Sequence, residues 1–293
     1  MQLLKYNKLL QDKINISIVD YKEYKSYILE KGEKIIKLRI VLDLEIKSFK
    51  GLFKNCECIK ELKFIKFNRK DIVDMSEMFY ECNKLCKLDL SNFESDKVID
   101  MSYMCYGCSS LQELDLNKFN TSNVVNMNNM FYKCSLLKEL NLSSFQTNKV
   151  TNMQSMFEEC SSLTQLNITS FQTENVTNMR NMFSNCIELE ELDLSKFNTA
   201  KVIYMERMFK NCYKLINLDI TNFEIKKEND TKYMFSSCKE ELKEKIKKQG
   251  VNLGNVSFET DYFETDYFEF FFESMDSIES NSPLPLLLEK EIQ

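Results

Sequence analysis

Eight cysteines stand at positions 56, 82, 108, 134, 160, 186, 212 and 238, each 26 residues after the last, with no insertion or deletion to break the step. A fixed period in this range is the signature of stacked coils, so the repeat constrains the fold before any local propensity is weighed. In such an array each coil contacts only its neighbours, and the core is a continuous seam. The 293 residues therefore need not divide into separate globular domains.

One coil, written from Val124, carries Val124, Met127, Met130, Phe131, Cys134, Leu137, Leu140, Leu142, Phe145 and Thr147 before Val150 opens the next. Each of these positions belongs to a column. Leu62, Leu88, Leu114, Leu140, Leu166, Leu192 and Leu218 form one, and Phe64, Leu90, Leu116, Leu142, Ile168, Leu194 and Ile220 form another two residues on. That spacing puts both columns on one side of a strand, and stacked coils pair such strands in parallel about 4.8 Å apart, giving a ribbon roughly 30 Å long. Phe67, Phe93, Phe119, Phe145, Phe171, Phe197 and Phe223 continue inward as an aromatic spine. On the return side Met127, Met130, Phe131 and Cys134 have the spacing of one apolar face of a short helix. The fold class expected is α/β: a solenoid of about eight coils, each a short parallel strand plus a short helical segment, with a cap at either end.

The order Leu111, Leu114, Leu116, with Phe119 where the usual motif has asparagine, is that of a leucine-rich repeat. Together with the Met-x-x-Met-Phe-x-x-Cys half and the Leu-Asp-Leu-Ser-x-Phe-x-Thr half, it closely resembles the BspA-like leucine-rich repeat of bacterial and protist surface proteins, over about residues 46 to 238. The resemblance implies a leucine-rich-repeat-like solenoid used for surface display, adhesion or protein binding. Around it the chain divides into an N-terminal cap (1–34), the solenoid (35–238), a C-terminal cap (239–258) and an acidic aromatic tail (259–293). The first strand of the stack is expected over 35–40, and a charged helix from Lys239 to Lys248 ends at Gly250.

Several function classes lose support. The sequence contains no His, which removes the commonest general base and the imidazole ligands of most zinc sites. Residues 255–293 hold ten acidic side chains against Lys290 alone, a net of −9, and leave the remainder near +3. That is no basic field for nucleic acid. The opening residues lack the apolar run of a signal peptide, and no stretch is long enough to span a bilayer. A cytoplasmic protein is the expectation, with the cell surface as the alternative that the resemblance suggests.

Cysteine and methionine clusters invite metal or redox readings. Cys105 and Cys108 make a C-x-x-C, and Cys56 and Cys58 a C-x-C. Cys105, however, falls in the column of Phe79, Phe131, Phe157, Phe183 and Phe209, and thirteen of the fifteen methionines fall in two further columns. Side chains that march at the coil period fill a core, so no metal and no cofactor are expected and the thiols are read as reduced. A cysteine- or metal-dependent enzyme built on Cys56, Cys58 and the acidic columns is the reading from another class.

The outward strand positions are the candidate binding surface. They comprise Asp89, Asp115, Asn141, Asn167, Asp193 and Asp219, flanked by Glu113, Glu139 and Glu191. The plainer account is that these side chains hydrate the strand and satisfy turn amides. A second candidate contact lies in the tail, where Glu259-Thr260-Asp261-Tyr262-Phe263 is repeated as Glu264-Thr265-Asp266-Tyr267-Phe268. Tyr262, Phe263, Tyr267 and Phe268 could anchor a docking peptide or fold back as extra cap. The function expected is a non-enzymatic scaffold for a protein partner, with a surface adhesin as the alternative; the oligomeric state is open.

Overall fold

The computed structural model describes residues 48–57, 59–63, 71–91, 93–251, 253 and 256. The chain divides into two units, Met1–Glu259 and Thr260–Gln293, and the second lies outside the described residues. So do the expected N-terminal cap and the expected strand over 35–40.

The described residues form a β-solenoid. Its strands are three residues long: β1 (Glu61–Lys63), β2 (Lys87–Asp89), β3 (Glu113–Asp115), β4 (Glu139–Asn141), β5 (Gln165–Asn167), β6 (Glu191–Asp193) and β7 (Asn217–Asp219). They pair in parallel and in register as β1-β2-β3, β4-β5 and β6-β7, with Leu62 opposite Leu88, Leu140 opposite Leu166 and Leu192 opposite Leu218. A second ladder of parallel bridges runs through Ser48, Asp74, Asp100, Asn126, Asn152, Asn178, Tyr204 and Asp230. The bridge ladder joins every coil to the next, while the strand ladder is interrupted between β3 and β4 and between β5 and β6; the core lies between the two.

The return side departs from the expected helix. Met127 to Cys134 is a chain of turns in which Asn129 (φ 56°) and Lys133 (φ 58°) are left-handed. The same two columns are left-handed in coil after coil, through Glu77, Tyr103, Ser155, Asn181, Arg207 and Tyr233, and through Asn55, Glu81, Gly107, Glu159, Asn185, Asn211 and Ser237. The physical reason lies in where the amides point. Met130, Tyr132 and Cys134 donate within the coil, to Met127, Asn129 and Phe131, while Met127, Asn129, Phe131 and Lys133 donate to the carbonyls of Asn152, Gln154, Met156 and Glu158 in the next coil. A helix would turn all of these amides along its own axis and leave the coils unbonded. Four inter-coil hydrogen bonds offset the strain of two left-handed residues, each costing about 1–2 kcal/mol.

The apolar columns fill the seam. Phe131, Phe157, Phe183, Phe209 and Phe235 stack with centroids 5.2–5.8 Å apart, and the paired Met columns are fully buried. Burying each such side chain stabilises by about 1.5–3 kcal/mol. Cys105 interrupts the Phe stack, as its phase in the sequence requires.

A hydroxyl column lies beneath the surface on the far side of the strands. Thr147 Oγ1 donates to the Gln172 carbonyl (2.9 Å) and accepts from the Gln172 amide (2.7 Å), and Ser95, Thr121, Thr173 and Thr199 repeat the pair. Each hydroxyl thus splices into the backbone ladder. In the last coil Ile225 takes this place.

The C-terminal cap is the helix α1 (Glu240–Lys248), with Leu242 and Ile246 turned into the core. Just past it, the side-chain amide of Gln249 accepts from Ile220 N (3.0 Å) and donates to the Leu218 carbonyl (2.5 Å). It takes the place of one more strand on the edge of β7, an edge that would otherwise present unpaired backbone. Val251, Leu253 and Val256 pack against the core beyond it.

Candidate functional site

Strand residues of outward column and inward column alternate, so Leu140, Leu192 and Leu218 anchor their strands in the core while their neighbours face outward. Asn141, Asp193 and Asp219 then close each strand by accepting the amide two residues on: Ser143 N (3.0 Å), Ser195 N (2.9 Å) and Thr221 N (2.9 Å). Asp89, Asp115 and Asn167 do the same with Ser91 (3.0 Å), Asn117 (2.9 Å) and Thr169 (3.3 Å). This is the Asx turn, in which a short side-chain oxygen substitutes for backbone. One oxygen of each side chain is committed to the turn. The second oxygen of Asp115, Asp193 and Asp219 remains to accept from a partner and the Nδ2 of Asn141 and Asn167 to donate to one, whereas the second oxygen of Asp89 accepts from Lys63.

The two halves of the face differ electrostatically. Across β1 to β3, Lys63 donates to Asp89 (2.6 Å) and Lys87 to Glu113. The Lys63 contact, with the Ser91 hydroxyl and amide behind it, holds the Asp89 carboxyl down at about 2. Strands β4 to β7 carry no lysine or arginine of their own, and among the described residues Glu139 and Glu191 make no ion pair; Lys245 of α1 reaches this half of the face and donates to Asn217 (3.4 Å). Asp193 is held below the usual carboxylate range by the Ser195 hydroxyl and amide.

On this second half the strands and α1 enclose an open concavity of about 1160 Å³. Its lining brings together six of the nine strand-face candidates, Glu139, Asn141, Asn167, Glu191, Asp193 and Asp219; Asp89, Glu113 and Asp115 stand on β2 and β3, outside it. Sequence reasoning missed Lys245 and Gln249, which close one end of the concavity from the cap. The cap helix was foreseen, but nothing in its charged sequence says which strand it covers. Tyr262, Phe263, Tyr267 and Phe268 lie outside the described residues.

The cysteine column is occupied by core hydrogen bonds. Cys82, Cys108, Cys134, Cys160, Cys186, Cys212 and Cys238 each donate the thiol to the carbonyl of the residue 29 before, at 3.0–3.3 Å. Burial pushes Cys160 and Cys238 up to about 12, and Cys108, Cys134, Cys186 and Cys212 well above the ordinary thiol range. Among the described residues no two cysteines are joined by a disulfide; Cys58 falls outside the described residues. Among the described residues no three Cys, Asp or Glu side chains converge as metal ligands, and no helix is long and apolar enough to cross a membrane.

Parallel three-residue strands at a fixed step, inward leucines and an outward polar face define a leucine-rich-repeat solenoid, of the BspA-like kind that the motif suggests. The family model described as a Mycoplasma protein of unknown function, DUF285, matches residues 47–139 and 137–249, and the chain belongs to that family. No curated protein matches. Solved structures that it resembles include a leucine-rich repeat protein from Bacteroides ovatus (16% identity, 70% of this chain and 49% of that one, TM-score 0.43). Another is the T. pallidum leucine-rich repeat protein TpLRR (17% identity, 78% and 88%, TM-score 0.39). A third is a leucine-rich cell surface protein from Faecalibacterium prausnitzii (12% identity, 58% and 75%, TM-score 0.18). This chain spans about half the length (49%) of the Bacteroides ovatus protein.

Proposed function

We propose that the protein is a non-enzymatic scaffold that holds a protein partner on the outward face of its strands, with the acidic aromatic tail as a second contact. The observation that carries this reading is the concavity over β4 to β7, where the side chains are held by Asx turns and the carboxylates of Glu139 and Glu191 are left unpaired. Fixed side chains lose little entropy when a partner arrives, which is what a binding face requires. The interior supplies no competing chemistry, because its thiols are buried, hydrogen-bonded and protonated.

Affinity capture with three forms of the full chain tests the reading: the native protein, the triple variant Asn141→Arg, Asn167→Arg, Asp193→Arg, and a chain ending at residue 258. All three positions are exposed, but each substitution removes an Asx-turn acceptor, so circular dichroism and the midpoint of chemical denaturation first establish that the variant is folded. The scaffold reading expects partners that the native chain retains and the triple variant loses. A partner set unchanged by the triple variant but abolished by truncation would move the site to the tail.

A further inference from the structure

Four of the five large hydrophobic side chains exposed among the described residues share one ladder, away from the strand face: Ile99 (50%), Val125 (37%), Ile203 (49%) and Tyr204 (45%). The first three belong to a column that is β-branched in six successive coils: Val73, Ile99, Val125, Thr151, Thr177 and Ile203. Their backbones are joined directly, each amide donating to the carbonyl of the column residue before it at 2.8–2.9 Å. The result is a row of β-branched side chains, half-buried at Val73 and exposed from Ile99 to Ile203. Clustering of exposed apolar side chains, as opposed to their scatter, marks an interaction surface.

The flanks of the row differ, and at the rung of Ile99 they are oppositely charged, Lys97 on one side and Asp100 on the other. On one side stand Lys97, Lys149 and Lys201, alternating with Asn123 and Asn175; Lys149 and Lys201 each donate to the preceding asparagine, at 2.7 and 2.8 Å. On the other side stand the bridge residues Asp74, Asp100, Asn126, Asn152 and Asn178. We infer that this row is a self-association face, and that its occupant is the same row on a second copy of the chain, related by a two-fold axis parallel to the solenoid.

The orientation follows from symmetry and charge. A two-fold along the solenoid sets each column residue against its own counterpart, Ile99 on Ile99 and Ile203 on Ile203, and exchanges the flanks, so that Lys97 of either copy meets Asp100 of the other. A two-fold perpendicular to the solenoid would set the lysine–asparagine column against itself and the aspartate column against itself, so that no lysine meets a carboxylate. Both copies have the same coil step, so coils in register at one rung stay in register at every rung. The row covers five steps of about 4.8 Å, roughly 24 Å, and buries less than the roughly 800 Å² per partner of a standard interface. The dimer is therefore reversible and forms at high local concentration. It leaves the strand concavity free, so a copy can dimerise and hold its partner together.

The test uses the full chain, mixed in equal parts as natural-abundance and heavy-isotope protein, and treated with a zero-length carbodiimide that joins lysine to carboxylate. The expected result is a mixed-isotope peptide pair linking Lys97 to Asp100, with a dimer in sedimentation equilibrium. Ile99→Lys with Ile203→Lys should abolish both signals. Lys97→Asp should weaken the dimer about tenfold, since two symmetric ion pairs are lost together, and adding Asp100→Lys should restore it. Lys97, Ile99 and Ile203 are exposed, whereas Asp100 is half-buried with its Oδ1 accepting from Ser102 N (2.8 Å), so circular dichroism checks that each variant is folded. A monomer at the highest soluble concentration with no mixed-isotope pair overturns the inference, as does a dimer indifferent to the isoleucine substitutions.

Discussion

Replacing Lys133 by glycine or by alanine separates the two accounts of the return side by the sign of the difference. Were Met127 to Cys134 a helix, glycine would be the worse of the two by about 0.8–1.0 kcal/mol. In the structure Lys133 is exposed with φ 58°, and its side chain has no partner among the described residues, while its amide donates to Glu158 O at 2.8 Å. A β-carbon in that conformation costs about 1–2 kcal/mol, and the extra freedom glycine has in the unfolded chain returns about 0.4–1 kcal/mol of this. Glycine should then exceed alanine by about 0.5–1 kcal/mol, and the same column already holds Gly107 at φ 69°. Urea denaturation of the two variants, followed by circular dichroism, reads the difference as a shift in midpoint. Because repeat arrays need not unfold in one step, exchange of the amide at position 133, which donates to Glu158 O, should be followed alongside it. An alanine variant more stable than the glycine variant would refute the left-handed turn and restore the helix.

Other outcomes follow from the same ladders. Thr147→Val removes a hydroxyl that serves both backbone groups of Gln172, and should cost about 2 kcal/mol, more than Thr147→Ser, which loses a methyl at about 0.8 kcal/mol; chemical denaturation ranks them. Gln249→Leu uncovers the edge of β7, so hydrogen exchange at Ile220 should accelerate while β1 to β3 keep their protection. Lys63→Met removes the principal cause of the low Asp89 carboxyl, and an NMR titration should show it climbing from about 2 toward the ordinary aspartate range. With Cys160 and Cys238 raised to about 12 in the fold against about 8.5 in the unfolded chain, the folded state holds more protons in that window. Stability should be constant below it and fall as pH rises through it.

The columns were legible because every one of them repeats at 26 residues and only a buried seam demands that. Leu62 to Leu218 landed on the strands, Cys105 landed in the Phe stack, and Lys239 to Lys248 became a helix. The return side misled because Met127, Met130, Phe131 and Cys134 have helical spacing, whereas the fold is decided by amides that bond to the next coil. A signal was present: five of the fourteen left-handed non-glycine residues are asparagine, the residue that tolerates this conformation best after glycine, and Gly51 and Gly107 stand in the same columns. The concavity was only partly legible. Outward polar columns are visible in the sequence, but their closure by Lys245 and Gln249 depends on how α1 packs against β7.

The central claim is that a partner sits on the strand face over β4 to β7. A photo-crosslinking amino acid placed at Asn167, inside the concavity, and separately at Glu174, exposed and outside its lining, asks this directly in the full chain. The account predicts a protein adduct at 167 that disappears when Glu139 and Glu191 are changed to lysine, and no such adduct at 174. Adducts at 174 with none at 167, or an adduct at 167 that survives both charge reversals, would contradict it.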